Sequence, residues 1–542
     1  MSADEPLLEN TGRGFTVYYR NRSLYSSSEP REGAHRRAAA ARLADRALVL
    51  VPGLGLGYGL ELLLQKLPAG SSLLCVETDA SLWALAASFP PPKHPRLKVV
   101  FSLQAAIGAA RELGLYRFRR VQLVPLCGSY HLDRAGYDAI LGALEEEIRQ
   151  FWQNRITLAH MSNLWLRNLF ANLVALAGGV ESPAPQDWAS ALRGQPGAPP
   201  SARPILVAGA GPSLEAALPR IARMRERLTL LAVDTALPVL ADAGLPPDWV
   251  YALDAQHYNL EDFLPSRDPA LLLLCDLSSC PAVIRQFPRR AAFATRFAPL
   301  ALFDRLQAAG LLPPELPPLG SVGVTAVQAA LGLTLGPVLL AGLDFCYPGG
   351  RTHARGAPSH RRALMACSRL APPGSAAFEA LAARPLLRVA GKGGRRYPSD
   401  LVLRSYAQQL QALARASGRL YDLGGEGLET GARPLASDSE LQAVLSAGPW
   451  PPAPPPRPFG PLSAQVRDFL RDEAGLLQAA EKELEEALGK GSGAGPGPAV
   501  ALVDYVLLAT PEADPQRQAE RGNLALALAN ARWLRARLQR LV

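Results

Sequence analysis

Residues 204–254 constrain the fold of this chain more than any other stretch. Three apolar runs follow one another there: Ile205–Ala208, then Leu-Leu-Ala-Val into Asp234, then Trp249-Val-Tyr-Ala-Leu into Asp254. Continuous apolar runs of this length behave as parallel strands buried on both faces, and the small or acidic residue closing each run is delivered to one edge of the sheet. The first run enters Gly209-Ala210-Gly211-Pro212-Ser213. Two glycines permit a tight turn and close backbone approach. Pro212 suits a first helical turn, and Ser213 adds a hydroxyl where free helical N–H groups gather. Such a turn attracts a phosphate, although a plain strand-to-helix turn uses the same residues. The acids at the ends of the next two strands, Asp234 and Asp254, favour a nucleotide site.

A second unit of this type lies earlier. Ala47–Pro52 leads into Gly53-Leu-Gly-Leu-Gly57-Tyr-Gly59, then a helical stretch, then Leu73-Leu-Cys-Val-Glu77-Thr-Asp79. A strand, a glycine turn, a helix and a second strand ending in an acid about 20 residues later is the spacing of a dinucleotide fingerprint. Two readings stand: the glycines and Glu77 hold a nucleotide-like ligand, or they only keep helix and strand close, with Leu54 and Leu56 adding bulk to the loop. Fold alone does not give an activity. From Asp138 to about Gly179 apolar residues recur at helical spacing, with Asn154, Asn163, Asn168 and Asn172 interleaved in structural roles.

After Asp254, strands are expected at Leu271–Asp276, Ala291–Thr295 and from Pro337 to Asp344. Between the last two, Gly320, Ser321 and Thr325 open the helical stretch Ala326–Leu333. They offer N–H groups and hydroxyls to an anion, or simply cap the helix. The last strand runs into Asp344-Phe-Cys-Tyr347-Pro-Gly-Gly350-Arg-Thr-His353, which gathers an acid, a phenol, an arginine and an imidazole where open α/β sheets bind ligands.

The expected fold class is therefore α/β, with two Rossmann-like parallel-sheet domains followed by a C-terminal α-helical region. The expected boundaries are an N-terminal Rossmann-like domain over 1–135, a helical connector and linker over 136–202 (Pro-rich from Pro183), and a central domain over 203–445. A Pro-rich linker over 446–458 and a helical domain over 459–542 complete the chain. The tail helices are expected to break at Gly489–Pro498 and to restart at an N-cap formed by Asp514 and Pro515.

Composition narrows the function classes. No run of 18 apolar residues occurs, and Met1–Asn10 lacks the basic and apolar parts of a signal peptide, so a cytoplasmic chain with no membrane span is expected. The six cysteines are scattered without a Cys-x-x-Cys pair, which argues against a zinc or redox site. Net charge is +9, but lysine occupies only six positions against 51 arginines, and no long basic run appears. Nucleic acid is not indicated as a partner.

The central segment resembles the motility-associated factor (Maf) family of flagellin glycosyltransferases, whose central domain is shared with 6-hydroxymethylpterin diphosphokinase (MptE-like) proteins. The likeness rests on Gly209-Ala-Gly-Pro-Ser213, Val233-Asp234-Thr-Ala, Pro247-Asp248-Trp-Val with Asp254, Gly320-Ser-Val, Leu343-Asp344 through His353, and Leu423-Gly-Gly-Glu426-Gly. The resemblance implies transfer of a nonulosonic, sialic-acid-like sugar, such as pseudaminic or legionaminic acid, from a CMP donor to Ser/Thr hydroxyls of flagellin. It implies that Gly209, Gly211, Pro212 and Ser213 hold the donor phosphate and that Asp234, Asp254, Gly320, Ser321 and Thr325 border the rest of the donor. His353, beside Asp344, would be the base that takes the acceptor's proton, since an imidazole with a pKa near ~6.5 suits that task. Arg351 would meet the donor's carboxylate in this reading, or is simply an exposed loop residue. No cofactor or metal is required in this reading. The alternative is a Mg²⁺-dependent, ATP-using pterin diphosphokinase in which Asp234, Asp254 and Asp344 are metal ligands. A non-catalytic flagellin-binding protein is the third reading.

Overall fold

A computed structural model describes residues 5–86, 88–177, 203–264, 268–446, 463–490, 497–510 and 519–542. All but Ser446 of the linker predicted over 446–458, and the cap predicted at Asp514 and Pro515, lie outside these residues, as do nearly all of the linker predicted from Pro183 and most of the break predicted from Gly489. Packing divides the chain into two compact units, Met1–His160 with Thr510–Asn523, and Met161–Ala509 with Leu524–Val542.

The first unit opens with a small antiparallel sheet, β1 (Leu7–Asn10), β2 (Phe15–Tyr19) and β3 (Arg22–Ser23). Its main sheet holds β4 (Ala47–Pro52), β5 (Ser72–Glu77), β6 (Leu97–Phe101) and β7 (Arg120–Leu123), all parallel, in the order β6-β5-β4-β7. Every residue of β4 and β5 is buried, as the apolar runs predict. Their two faces feed separate cores, Val49, Val51, Leu73 and Cys75 on one side and Leu48, Leu50, Leu74 and Val76 on the other. Each fully buried Leu or Val side chain contributes about 1.5–3 kcal/mol, so the alternation fixes the sheet between two layers.

The second unit carries nine strands: β8 (Ile205–Ala208), β9 (Thr229–Val233), β10 (Trp249–Ala252), β11 (Leu272–Asp276), β12 (Arg290–Thr295), β13 (Glu315–Leu316), β14 (Val338–Ala341), β17 (Leu420–Asp422) and β18 (Arg433–Pro434). All pair in parallel, in the order β13-β12-β11-β10-β9-β8-β14-β17-β18. The intervening β15 (Leu387–Ala390) and β16 (Arg396–Ser399) form an antiparallel hairpin that no apolar periodicity announces. The chain therefore walks outward from β8 to β13 and then returns to lay β14 on the other side of β8. Strand order reverses between these two strands.

The helix Arg134–Ala177 begins in the first unit and ends in the second. Within the second unit its buried asparagines hold loops. Asn168 donates to the carbonyls of Ala255 and Ser278 at 2.9 and 3.0 Å, and Asn172 to those of Leu277 and Ser279 at 2.8 Å each. The tail helix Ser463–Lys490 buries Val466, Leu470, Leu477 and Leu484. Its buried Glu473 accepts from Arg305 and, at 2.8 Å, from the Tyr505 hydroxyl, so the charge is satisfied on both sides.

Candidate functional site

A parallel sheet with a strand-order reversal leaves a crevice beyond the carboxyl ends of the two strands, because their following loops depart in opposite directions. At β8 and β14 these loops are Gly209–Ser213 and Gly342–His353, and a cavity of about 510 Å³ opens there. Its lining includes Gly209, Gly211, Asp234, Ser321, Asp344 and His353 from the predicted set. Pro212, Ser213, Asp254, Gly320 and Thr325 are not part of its lining.

The glycines are demanded by the crossing of the two loops. A Cβ on Gly209 would stand 2.5 Å from the Gly342 carbonyl oxygen, and one on Gly211 would stand 2.6 Å from the Asp344 carboxyl carbon. The Gly209 and Gly211 N–H groups donate to the carbonyls of Ala341 and Gly342, both at 2.8 Å. Ser213 turns to the same loop. Its N–H donates to Asp344 Oδ2 at 2.9 Å, and its hydroxyl donates to the other carboxylate oxygen. The first helix start predicted for a phosphate thus has its donors committed to protein acceptors. The second differs. Ser321 caps the twelve-residue helix Val322–Leu333, and Ser321, Val322 and Gly323 line the cavity; among the described residues the Val322 and Gly323 N–H groups have no hydrogen-bond partner. Thr325 supports the turn by donating to the Ser321 carbonyl at 2.8 Å.

Asp344 is nearly enclosed. Burial raises its carboxyl above the ordinary range, against the opposing pull of the Ser213 hydrogen bonds and of Lys392. Lys392 itself pairs with buried Asp422 at 2.7 Å, and Asp422 also accepts from Gly424 N–H and the Thr430 hydroxyl. Phe345, immediately after Asp344, sits at φ 51°, a left-handed conformation costly for a side chain of this size. The strain falls at the cavity wall.

His353 is largely withdrawn from water. Burial first, then the positive charges of Arg362 and Arg384, push its pKa below the usual imidazole value, so the ring is neutral at pH 7. Ser359 Oγ lies 3.1 Å from Nδ1, and among the described residues Nε2 has no hydrogen-bond partner. Arg351 does not face the cavity as a free cation: it pairs with Glu215 at 2.6 Å. The cation on the wall is Arg384, which the sequence reading missed. It donates to the Tyr347 hydroxyl at 2.8 Å and to Asp400 at 3.1 Å, and Tyr347 donates to Asp400 at 2.7 Å. Burial, then the hydrogen bond to Asp400, push the Tyr347 phenol up to about 12. No spacing rule joins residues 347, 384 and 400; only the folded hairpin between them does.

Asp234 and Asp254 part company. Asp234 lines the cavity, and its carboxylate accepts from Thr235 and from Asn259, the latter at 2.9 Å. Asn259 also donates to Asp262 at 2.8 Å. Burial, then repulsion from Asp234, raise Asp262 to about 7. Asp254 instead holds its own loop, accepting from Gln256 N–H at 2.8 Å and from the Tyr258 hydroxyl at 3.3 Å. Among the described residues no three His, Cys, Asp or Glu side chains converge as a metal site would require. No described helix is long and apolar enough to cross a membrane.

Comparison with known proteins bears on the family and the fold. A family pattern described as 6-hydroxymethylpterin diphosphokinase MptE-like matches residues 189–350, the part that builds β8 through β14. The solved structure of the MAf glycosyltransferase from Magnetospirillum magneticum AMB-1 superposes with a TM-score of 0.59, over 99% of this chain and 90% of that one, at 17% identity; the likeness is one of fold. An uncharacterized protein of Treponema pallidum (strain Nichols) is 31% identical over 439 residues, 78% of this chain and 73% of its own length. A second Treponema pallidum protein is 32% identical over 161 residues, 28% of this chain and 41% of that protein. With almost three quarters of the first Treponema pallidum protein matched, this chain belongs to the same family, with an MptE-like domain at its centre and the fold of a MAf glycosyltransferase throughout.

Proposed function

We propose that the cavity between β8 and β14 binds a CMP-linked nonulosonic sugar and that the protein transfers this sugar to Ser/Thr hydroxyls of flagellin. The observation that carries the reading is the cavity's combination of a neutral imidazole, a guanidinium and an open helix start at one strand-order reversal. In this reading the donor phosphate meets the N–H groups of Val322 and Gly323, with Arg384 as the nearby positive charge for phosphate or sugar carboxylate. His353, unprotonated, takes the proton of the acceptor hydroxyl through Nε2 as CMP leaves. Asp234, with Thr235 beside it, suits the hydroxyls of ribose or sugar. Asp344, named with His353 as a catalytic candidate, has both its oxygens bound by Ser213, and in this reading it fixes the crossing loops.

The diphosphokinase reading draws on the family pattern but fits the side chains less well. Metal-assisted diphosphoryl transfer calls for carboxylates that converge on the phosphates. Asp344 is closed off by Ser213, Asp254 holds its own loop, and Asp234 is shared with Asn259. The test is incubation of the protein with a CMP-nonulosonate and unglycosylated flagellin, followed by intact-mass measurement. Flagellin heavier by whole sugar residues is expected. Unchanged flagellin, together with Mg²⁺- and ATP-dependent modification of a hydroxymethylpterin, would replace this reading with the second.

A further inference from the structure

A second cavity, of about 300 Å³, lies elsewhere in the second unit, and four arginines surround it: Arg167, Arg285, Arg537 and Arg540. Among the described residues no aspartate or glutamate lines it, and none of the four arginines has an acidic partner. Arg167 leans on the neutral Asn168 amide, with Nη2 to Oδ1 at 2.9 Å, and Arg537 lies over the Trp533 ring. Apolar residues also line it: Pro281, Ala282 and Leu541 are partly exposed, while Phe170, Leu534 and Leu538 are buried.

Four guanidinium groups keep their charge at any ordinary pH, so together they attract an anion. Compensation of a helix dipole explains arginine at the end of the helix Arg521–Leu538. It does not explain why Arg167 and Arg285 arrive from two other elements at the same place. On the same last helix, by contrast, Arg535 meets a carboxylate, forming two hydrogen bonds with Glu481 at 2.6 and 2.9 Å. The cavity's lining residues His257 and Cys280 follow β10 and β11, so it opens at loops on the same carboxyl edge of the sheet as the first cavity.

We propose that this cavity is a docking site for an acidic peptide segment, one carboxylate held among the arginines and an adjoining aliphatic side chain laid on Pro281 and Leu541. A free phosphate has no use for the apolar lining, and the volume, at the low end of ligand pockets, suits a few side chains rather than lipid chains. The test is fluorescence anisotropy of a labelled, end-blocked hexapeptide of alternating leucine and glutamate. Binding is expected that weakens with salt, is absent for the leucine–lysine peptide, and falls roughly tenfold or more in Arg285→Glu/Arg540→Glu. Arg285→Gln alone, at an exposed position, provides the milder variant if the double one unfolds, with a smaller loss in the same direction. Equal binding by wild type and either folded variant, no binding at about 1 mM peptide, or full displacement by equimolar inorganic phosphate would each overturn the proposal.

Discussion

The two parallel sheets reverse strand order in the same way, and the two crevices that result have opposite fates. Between β4 and β7 the crevice is filled by the chain itself. Gly53 and Gly55 lie at φ 80° and 51°, and a Cβ on either would collide with Ser129 or with the Tyr25 hydroxyl. Tyr25 accepts from Leu56 N–H at 2.8 Å. Glu77, the acid that would hold a ribose in the dinucleotide pattern, is fully buried and accepts from Leu54, Thr78 and Asp79 N–H groups and the Tyr137 hydroxyl. Between β8 and β14 the crossing loops satisfy each other at their base but leave about 510 Å³ open above. A glycine fingerprint thus specifies a backbone crossing. Whether a ligand follows depends on what the rest of the chain places over it.

The comparison breaks most sharply at His353. His353→Ala should lower sugar transfer by about 10²–10⁴-fold while CMP affinity stays within roughly a factor of two, measured by coupled CMP release and by calorimetry. An unchanged rate would remove the imidazole from the chemistry. Next comes the pair Gly211→Val and Gly55→Ala. The first forces a side chain between Asp344 and the Gly342 carbonyl and should cost roughly 100-fold in CMP affinity. The second should lower stability by about 1–3 kcal/mol in urea titration and leave CMP affinity of the folded protein alone. Reversed effects would exchange the roles assigned to the two crevices.

Much of this architecture is legible in the sequence because a strand buried on both faces must be continuously apolar, and its polar terminus marks the sheet edge. Ile205–Ala208 and Val338–Ala341 announce themselves in that way, and so do the glycines after them. The site is less legible. Ser213 and Asp344 are 131 residues apart, and their hydrogen bonds make Ser213 a structural partner where the motif suggested a phosphate ligand. Arg384 reaches the wall only because β15 and β16 form a hairpin in a stretch without apolar alternation. The filled first crevice depends on Tyr25, which precedes the fingerprint and belongs to no part of it.

A smaller effect sharpens the comparison further. Tyr25→Phe removes the acceptor of the buried Leu56 N–H and should cost about 1–2 kcal/mol, read as a lower urea midpoint. A gain of nucleotide affinity in that variant would mark the first crevice as a blocked ligand site. The pH profile of transfer is the mildest test. Because the His353 pKa lies below the ordinary imidazole value, the neutral base persists as pH falls through ~6.5, and activity should decline only at lower pH. A decline centred at or above ~6.5 would contradict the burial of this ring.

Calorimetric titration of the intact protein with CMP and with ATP, each in Mg²⁺ and in EDTA, tests the central claim most directly. The account predicts CMP binding at one site, indifferent to EDTA and lost in Gly211→Val. Mg²⁺-dependent binding of ATP with none of CMP would contradict it.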